Sequence, residues 1–218
     1  PKKSLFKNIF IIFIITCFLT SLIFIYNPSS IFGVICGYLS ILLFFSVGLS
    51  FLKKLNNLKK LPLNFYGMLI AHLGLAIFLF GVTGEQFFKK ETSRQIKVNE
   101  TIILNNYNLK LENVNKIKID NYLSESGFFR ITKNGDFIGK IISEQRFYPA
   151  ERTKTTEAGI FSLFLSDIYI TMGEGNLKEG WVVKAYFNPL VKCLWFGAFI
   201  MAIGGILSLL SKANRRYI

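Results

Sequence analysis

The chain has 218 residues, 51% of them hydrophobic, with 23 phenylalanines and a formal net charge of +13. So apolar a composition excludes an ordinary soluble domain of this size. The charge does not describe a nucleic-acid surface either: Lys2, Lys3, Lys7, Lys53, Lys54, Lys59, Lys60, Lys212, Arg215 and Arg216 flank apolar runs with no acid among them, as cytoplasmic membrane flanks do.

In chain order, residues 5–26 and 31–52 are two apolar runs joined by Asn27, Pro28, Ser29 and Ser30. The first is too long for a signal-peptide core and no small-residue cleavage site follows it, so the two runs predict a transmembrane hairpin. Thr16, Thr20, Ser40, Ser46 and Gly48 are expected to serve as helix contacts, because no charge accompanies them. The eight residues KKLNNLKK at 53–60 return the chain to a cytoplasmic lipid surface. The first residue is Pro1 rather than Met, which suggests a fragment or a processed chain.

The third run, NFYGMLIAHLGLAIFLFGVTG at 64–84, carries the only histidine, His72. Twenty helical residues at ~1.5 Å each match the ~30 Å of a hydrocarbon core. An imidazole buried there needs a hydrogen-bond partner, a proton path or a metal. Gly67, Gly74 and Gly81 recur every seven residues and, with Ala71, leave a smooth face for another helix or a flat rigid ligand. His72 is expected at the edge of that face, ~100° round from Ala71. The residues alone leave both a packing histidine and a metal ligand open, since one ligand is a weak metal signal.

From 85 to 188 the composition changes: all 13 acidic residues lie here, interleaved with 15 Lys and Arg, a net of +2. Short runs at 94–98, 107–119, 127–133, 137–147, 159–171 and 181–187 predict strands, and Asn134-Gly135 predicts a hairpin turn. The expected fold is a small antiparallel β-barrel or sandwich. No second histidine, telling carboxylate pair or G-x-S-x-G marks a catalytic centre, and the scattered charges read as a wet sheet face. Pro189 opens a last span at 190–210, with Tyr186, Phe187 and Trp195 as an interfacial belt and Gly197, Ala198, Gly204 and Gly205 as a second close-packing face. Cys17, Cys36 and Cys193 form no C-x-x-C, which leaves no visible disulfide framework, zinc site or covalent haem attachment.

The expected architecture is four transmembrane helices with an inserted extra-cytoplasmic antiparallel β-domain. Residues 1–60 form a helical hairpin and basic loop, 61–84 the histidine-bearing helix, 85–188 the β-domain, and 189–218 the last helix and basic tail. Charge bias and the parity of four spans put both termini and the 53–60 loop on the cytoplasmic side.

FYGMLIAHLGLAIFLFGVTG at 65–84, RFYPAERTKTTEAGI at 146–160, DIYITMGE at 167–174, WVVKAYFNPLVKCLWFGAFIMAIGGIL at 181–207 and a terminal RRY, in this order, resemble the C-terminal third of the CcmF family (CcmF, NrfE, CycK). These are membrane haem lyase subunits of system I cytochrome c maturation. The resemblance implies that His72 is an axial ligand of a non-covalent b-type haem within the membrane, its second ligand outside this chain. Gly67 and Gly74 are then candidate haem-facing small residues. It further implies a bacterial inner-membrane location with the β-domain periplasmic, or the mitochondrial equivalent. The implied partners are a haem chaperone, thiol-reducing and apocytochrome-binding subunits, apocytochrome c, the remainder of the lyase and membrane lipid, with no nucleic acid. The family's tryptophan-rich W-W-D loop is absent, Trp181 and Trp195 being the only tryptophans, so lyase activity is expected of the complete protein and not of this piece. The rival reading is a haem-free membrane scaffold subunit. The TTEAGI motif reads equally as a partner contact or a strand-connecting turn.

Overall fold

The computed structural model describes residues 2–26, 30–55 and 61–214. The expected turn at 27–29, the second half of the basic loop at 56–60 and the terminal residues 215–218 lie outside them. The chain divides into two compact units, Pro1–Phe88 with Leu190–Ile218, and Lys89–Pro189.

The first unit is helical: α1 (Lys2–Tyr26), α2 (Ile31–Leu52), α3 (Leu63–Phe88) and α4 (Val191–Asn214). Ile31–Leu52, Leu63–Phe88 and Val191–Ser211 are each long and apolar enough to cross a membrane, and α1 adds the shorter apolar run Phe10–Leu22. Large apolar side chains stay exposed on all four, Phe13, Phe32, Phe80 and Phe199 among them. Hydrocarbon, unlike water, does not penalise such a surface.

Several hydroxyls on these helices find internal partners, while the buried Thr16 Oγ1 has none among the described residues. Ser30 caps α2 by accepting the Gly33 N–H at 3.0 Å, and its hydroxyl donates to Gln86 Oε1 on α3 at 3.1 Å. Ser40 donates across to the Ala76 carbonyl at 2.9 Å. Thr20, Ser50 and Thr83 bond back to the carbonyls of Thr16, Ser46 and Leu79 within their own helices. Of the expected helix contacts, Ser40 therefore ties two helices, whereas a Cβ on Gly48 would meet nothing within 4 Å.

The tightest packing is between the antiparallel pair α3 and α4. A Cβ on Gly67 would lie 2.7 Å from the Gly204 carbonyl and one on Gly204 2.6 Å from that of Gly67. Gly74 and Gly197 repeat the reciprocal contact one heptad further along, 2.7 Å each way. Two glycine rows at seven-residue spacing thus bring the backbones together, as small-residue seams do in membranes. The α4 helix begins at Val191, one residue later than predicted, because Leu190 takes a left-handed φ of 55°. Its side chain fills the space beside Gly84, where a Cβ would sit 2.9 Å from Leu190 Cβ.

The second unit is a β-sandwich of β1 (Lys90–Ile96), β2 (Thr101–Leu104), β3 (Tyr107–Ile119), β4 (Tyr122–Lys133), β5 (Asp136–Tyr148), β6 (Thr153–Glu157), β7 (Gly159–Ser162), β8 (Asp167–Asn176) and β9 (Gly180–Asn188). One sheet runs β1-β9-β8-β7 and the other β2-β3-β4-β5-β6, all pairs antiparallel. Alternation decides the core: Leu109, Leu111, Phe129 and Ile131 face Ile168, Ile170, Met172 and Val183 in one buried cluster. Asn134 and Gly135 both take positive φ, 53° and 95°, and make the predicted two-residue hairpin turn between β4 and β5.

Three features depart from the predicted strands. β2 and β6 are additional, and the run at 159–171 is two strands, β7 and β8, joined by a turn in which Leu163 N–H bonds the Ser166 carbonyl at 2.8 Å. The TTEAGI motif is the crossover from β6 in one sheet to β7 in the other. Gly159 is required there, since a Cβ would lie 2.8 Å from Ile141 Cγ1 and strike the Ile142 carbonyl. Phe187, expected in an interfacial belt, stacks on Tyr107 with ring centroids 5.8 Å apart and packs on the sandwich core.

Ser143, fully buried on β5, ties three strands. It accepts the Met172 N–H from β8 at 2.9 Å and donates to the Glu157 carbonyl of β6 at 2.9 Å. Trp181, 2% exposed, places its indole N–H on Glu125 Oε1 at 2.9 Å, and Lys116 sits 3.4 Å from the same oxygen.

Two expectations follow. Gly204→Leu should lower stability in detergent by at least ~1–3 kcal/mol through backbone overlap with α3, while Gly205→Leu, whose Cβ meets nothing within 4 Å, should leave the melting temperature unchanged; thermal unfolding of the pair checks this. Ser143→Ala should destabilise the β-unit by ~1–3 kcal/mol, because it leaves a buried N–H and C=O unpaired, measured by denaturant titration with tryptophan fluorescence.

Candidate functional site

His72 stands on the tenth residue of α3, ~14 Å along the helix from its start. Its position around the helix follows from the seam. At ~100° per residue it lies ~140° from Gly67, so with Gly67 and Gly74 turned to α4 the imidazole points away from that interface. The ring is exposed on the helical unit, not buried within it. The expectation of a histidine at the edge of the glycine face is thereby corrected.

The ring is oriented by its own helix. Nδ1 lies 2.7 Å from the Met68 carbonyl oxygen, one turn back. A carbonyl only accepts, so Nδ1 carries the hydrogen, and in the neutral ring the lone pair belongs to Nε2. This is the arrangement in which the second ring nitrogen of a metal-binding histidine is anchored to a backbone carbonyl. Leu43, Ser46, Val47 and Ser50 of α2 and Met68 and Leu69 of α3 line a groove of about 190 Å³ that includes His72. That is below the ~300–1,000 Å³ of sites that enclose a ligand, so this groove offers one wall and one donor. Among the described residues no three His, Cys, Asp or Glu side chains are grouped to hold a metal ion.

Gly67 and Gly74 do not share the groove. Their missing side chains are taken up by α4 backbone, Gly74 with the Met201 N–H 2.6 Å from a would-be Cβ, so no room is left there for a flat ligand. Ser46, Ser50 and Met68 come to the histidine instead. The i−4 spacing of Met68 was visible in the sequence; the approach of α2 was not.

The β-unit contains a concavity of about 670 Å³ on the outer face of the four-stranded sheet, with Tyr169, Thr171, Lys184 and Tyr186 in its lining and neither histidine nor carboxylate. Its ionic contacts are solvated pairs. The Arg130 guanidinium hydrogen-bonded to Glu112, with Lys140 at 3.2 Å, holds that carboxyl below the usual glutamate range, and Lys154 does the same for Glu174. Hydrogen bonding to Glu144 raises Arg146 above the ordinary arginine value. Such exposed pairs organise surface strands more than they stabilise them.

Residues 87–189 match the family described as the CcmF C-terminal beta-sandwich. The chain belongs to the CcmF family, in its C-terminal part. It is 34% identical over 158 residues to the cytochrome c-type biogenesis protein CycK of Rhizobium meliloti, covering 72% of this chain and 23% of that protein. It is 31% identical over 157 residues to the CcmF of Haemophilus influenzae, covering 72% of this chain and 24% of that one. With the NrfE of the same organism it shares 29% over 176 residues, 81% of this chain and 28% of NrfE. The chain therefore spans about a quarter of the length of the curated relatives it matches. A solved structure, the cytochrome c haem lyase CcmF, superposes with a TM-score of 0.69 at 13% identity over 92% of this chain and 34% of its own, which shows a shared fold. The match to the CcmF C-terminal β-sandwich thus lies in a chain with three helices long and apolar enough to cross a membrane.

Since His72 is the sole histidine, diethylpyrocarbonate reports on it alone. The detergent-solubilised chain should form one equivalent of N-carbethoxyhistidine without prior unfolding, followed by ultraviolet difference absorbance and peptide mass.

Proposed function

We propose that this chain is the part of a membrane haem lyase that supplies one axial ligand, His72 Nε2, to an intramembrane b-type haem. The lyase itself attaches haem to apocytochrome c. The observation that carries the reading is the outward-facing imidazole with Nδ1 held by the Met68 carbonyl. A ring whose Nδ1 is held by its own helix, in an apolar stretch with no partner for its second nitrogen among the described residues, is suited to iron.

The roles of the chain's own residues follow from that geometry. Met68 keeps the proton on Nδ1, which maintains Nε2 as a donor. Leu43, Val47 and Leu69 keep water from one side of it. The α3–α4 seam fixes which way this side of the helix turns, and the bond from Nδ1 to the Met68 carbonyl orients the ring upon it. Bound there, a b-type haem supplies an electron-transfer centre whose potential depends on axial ligation and dryness. With a single histidine in the chain, the second axial ligand comes from elsewhere in the assembled lyase.

In this reading the acidic-residue-bearing β-unit is periplasmic, and the lysine-flanked helix ends, Lys53 and Lys54 among them, are cytoplasmic. The remaining lyase segments, a haem chaperone, a thiol-reducing subunit and apocytochrome c are its partners. The resident-haem claim is tested in the complete lyase by His72→Ala. Bound b-type haem should fall on the order of tenfold or more, a larger effect than loss of an outer-shell partner, with the circular dichroism of the protein unchanged. An unaltered reduced-minus-oxidised spectrum would leave only the scaffold role.

A further inference from the structure

We infer that one end of the β-sandwich is a bilayer-docking surface, with Phe164 and Leu165 at the β7–β8 turn dipping into the lipid headgroup layer. The inference does not depend on the haem reading.

The turn is anomalous in its composition. Three other turns of the unit are built from polar residues and glycine, Asn105 and Asn106, Asp120 and Asn121, and Asn134 with Gly135, and the β8–β9 turn has a single large apolar residue, Leu177, beside Lys178 and Glu179. The β7–β8 turn is Leu163, Phe164, Leu165 and Ser166. Leu163 turns inward and packs against the core. Phe164 is 93% exposed and Leu165 43%. An adjacent Phe and Leu turned outward from a closed turn, with the inward place already taken by Leu163, have no internal use.

Register shows where that turn is. Ser162 pairs with Asp167, Asp167 with Asn188, and Lys90 with Phe187, so these residues form the terminal rows of one sheet. The turn lies just beyond them, and so do Lys89 and Pro189, through which the chain enters and leaves the sandwich. With strands ~4.7–4.9 Å apart, Phe164 and Pro189 are near neighbours at the same end. Val191 begins an apolar segment long enough to cross the membrane. Two residues of chain reach at most ~7 Å, so the chain passes from this end of the sandwich into an apolar segment with almost no linker.

The surroundings have the chemistry of a membrane interface. Lys89 lies over the Tyr186 ring at 5.6 Å and Lys133 over the Tyr107 ring at 5.4 Å, cations on aromatic faces at this same end. Aromatic rings, long cationic stems and an apolar tip are what the headgroup layer of an anionic bilayer selects. The opposite end carries Leu177, 81% exposed, in the β8–β9 turn, and serves as the internal control.

The test uses the full chain in liposomes of phosphatidylethanolamine and phosphatidylglycerol. Phe164→Cys and Leu177→Cys variants are labelled with an environment-sensitive nitrobenzoxadiazole dye, with the unsubstituted chain as the blank for its own cysteines. Lipids spin-labelled high on the acyl chain should quench the dye at 164 at least twofold more than the dye at 177, and more than deep-labelled lipids do. Equal quenching at the two positions overturns the proposal. So does a blue-shifted but unquenched dye at 164, which would mean that protein covers the turn. Leu165→Cys, labelled in the same way, should repeat the 164 result, and its failure to do so would also overturn it.

Discussion

Gly67 meets Gly204 and, one heptad on, Gly74 meets Gly197, with no side chain between the two helix backbones. Between membrane helices apolar side chains gain little by leaving lipid, so close backbone approach and dispersion are what hold a pair together. The contact consumes one face of α3 completely. Every other residue of that helix is then assigned a direction by the helical repeat, and His72 falls on the side shared with α2. A face made smooth for one partner cannot also serve another, which is why the glycines and the histidine have separate roles.

The second helix contact is of a different kind. Ser40 reaches the Ala76 carbonyl, and Ser30 both caps α2 and holds Gln86, so α2 is pinned to α3 at two heights by hydrogen bonds. Below Ser40 the two helices leave room for the groove that contains His72. Thr20 and Thr83 bond to their own turn, which keeps those hydroxyls silent in an apolar medium. The imidazole does the same with Nδ1 and is left with one unspent nitrogen. In the proposed reading that nitrogen is the one that meets iron.

Much of this was legible from residue patterns, and the failures have physical reasons. The spans, the change of composition at Glu85 and the Asn134-Gly135 turn follow from hydropathy, charge and φ preference, which are local properties. β6 was illegible because its five residues, TKTTE, are all exposed and carry no apolar alternation. The β7–β8 turn was illegible for the opposite reason, since Leu163, Phe164 and Leu165 imitate the interior of a strand. At the site, the heptad glycines announced a smooth face but not its occupant, for a helix and a macrocycle ask for the same absence of side chains. The partners of His72 on α2 depend on which helix packs where, a tertiary fact that no periodicity encodes.

The exposure of His72 bears directly on the choice between ligand and packing residue. A histidine that exists to join two helices has both nitrogens engaged within the bundle, because an imidazole nitrogen left in hydrocarbon costs several kcal/mol, on the order of an unmade hydrogen bond there. Here the intrahelical bond to Met68 needs only one of them. In the proposed reading the other is met by a group that brings an acceptor for its lone pair. A donor side chain of a neighbouring helix would meet that demand, but it would not explain why the tautomer is fixed from behind and the walls of the groove are chiefly aliphatic. Iron meets both conditions, since metal ligation requires the unprotonated nitrogen and gains from dry surroundings. In the proposed reading α3 is a helix held firmly on one face by its glycines so that a single atom on the other can be offered to a haem iron.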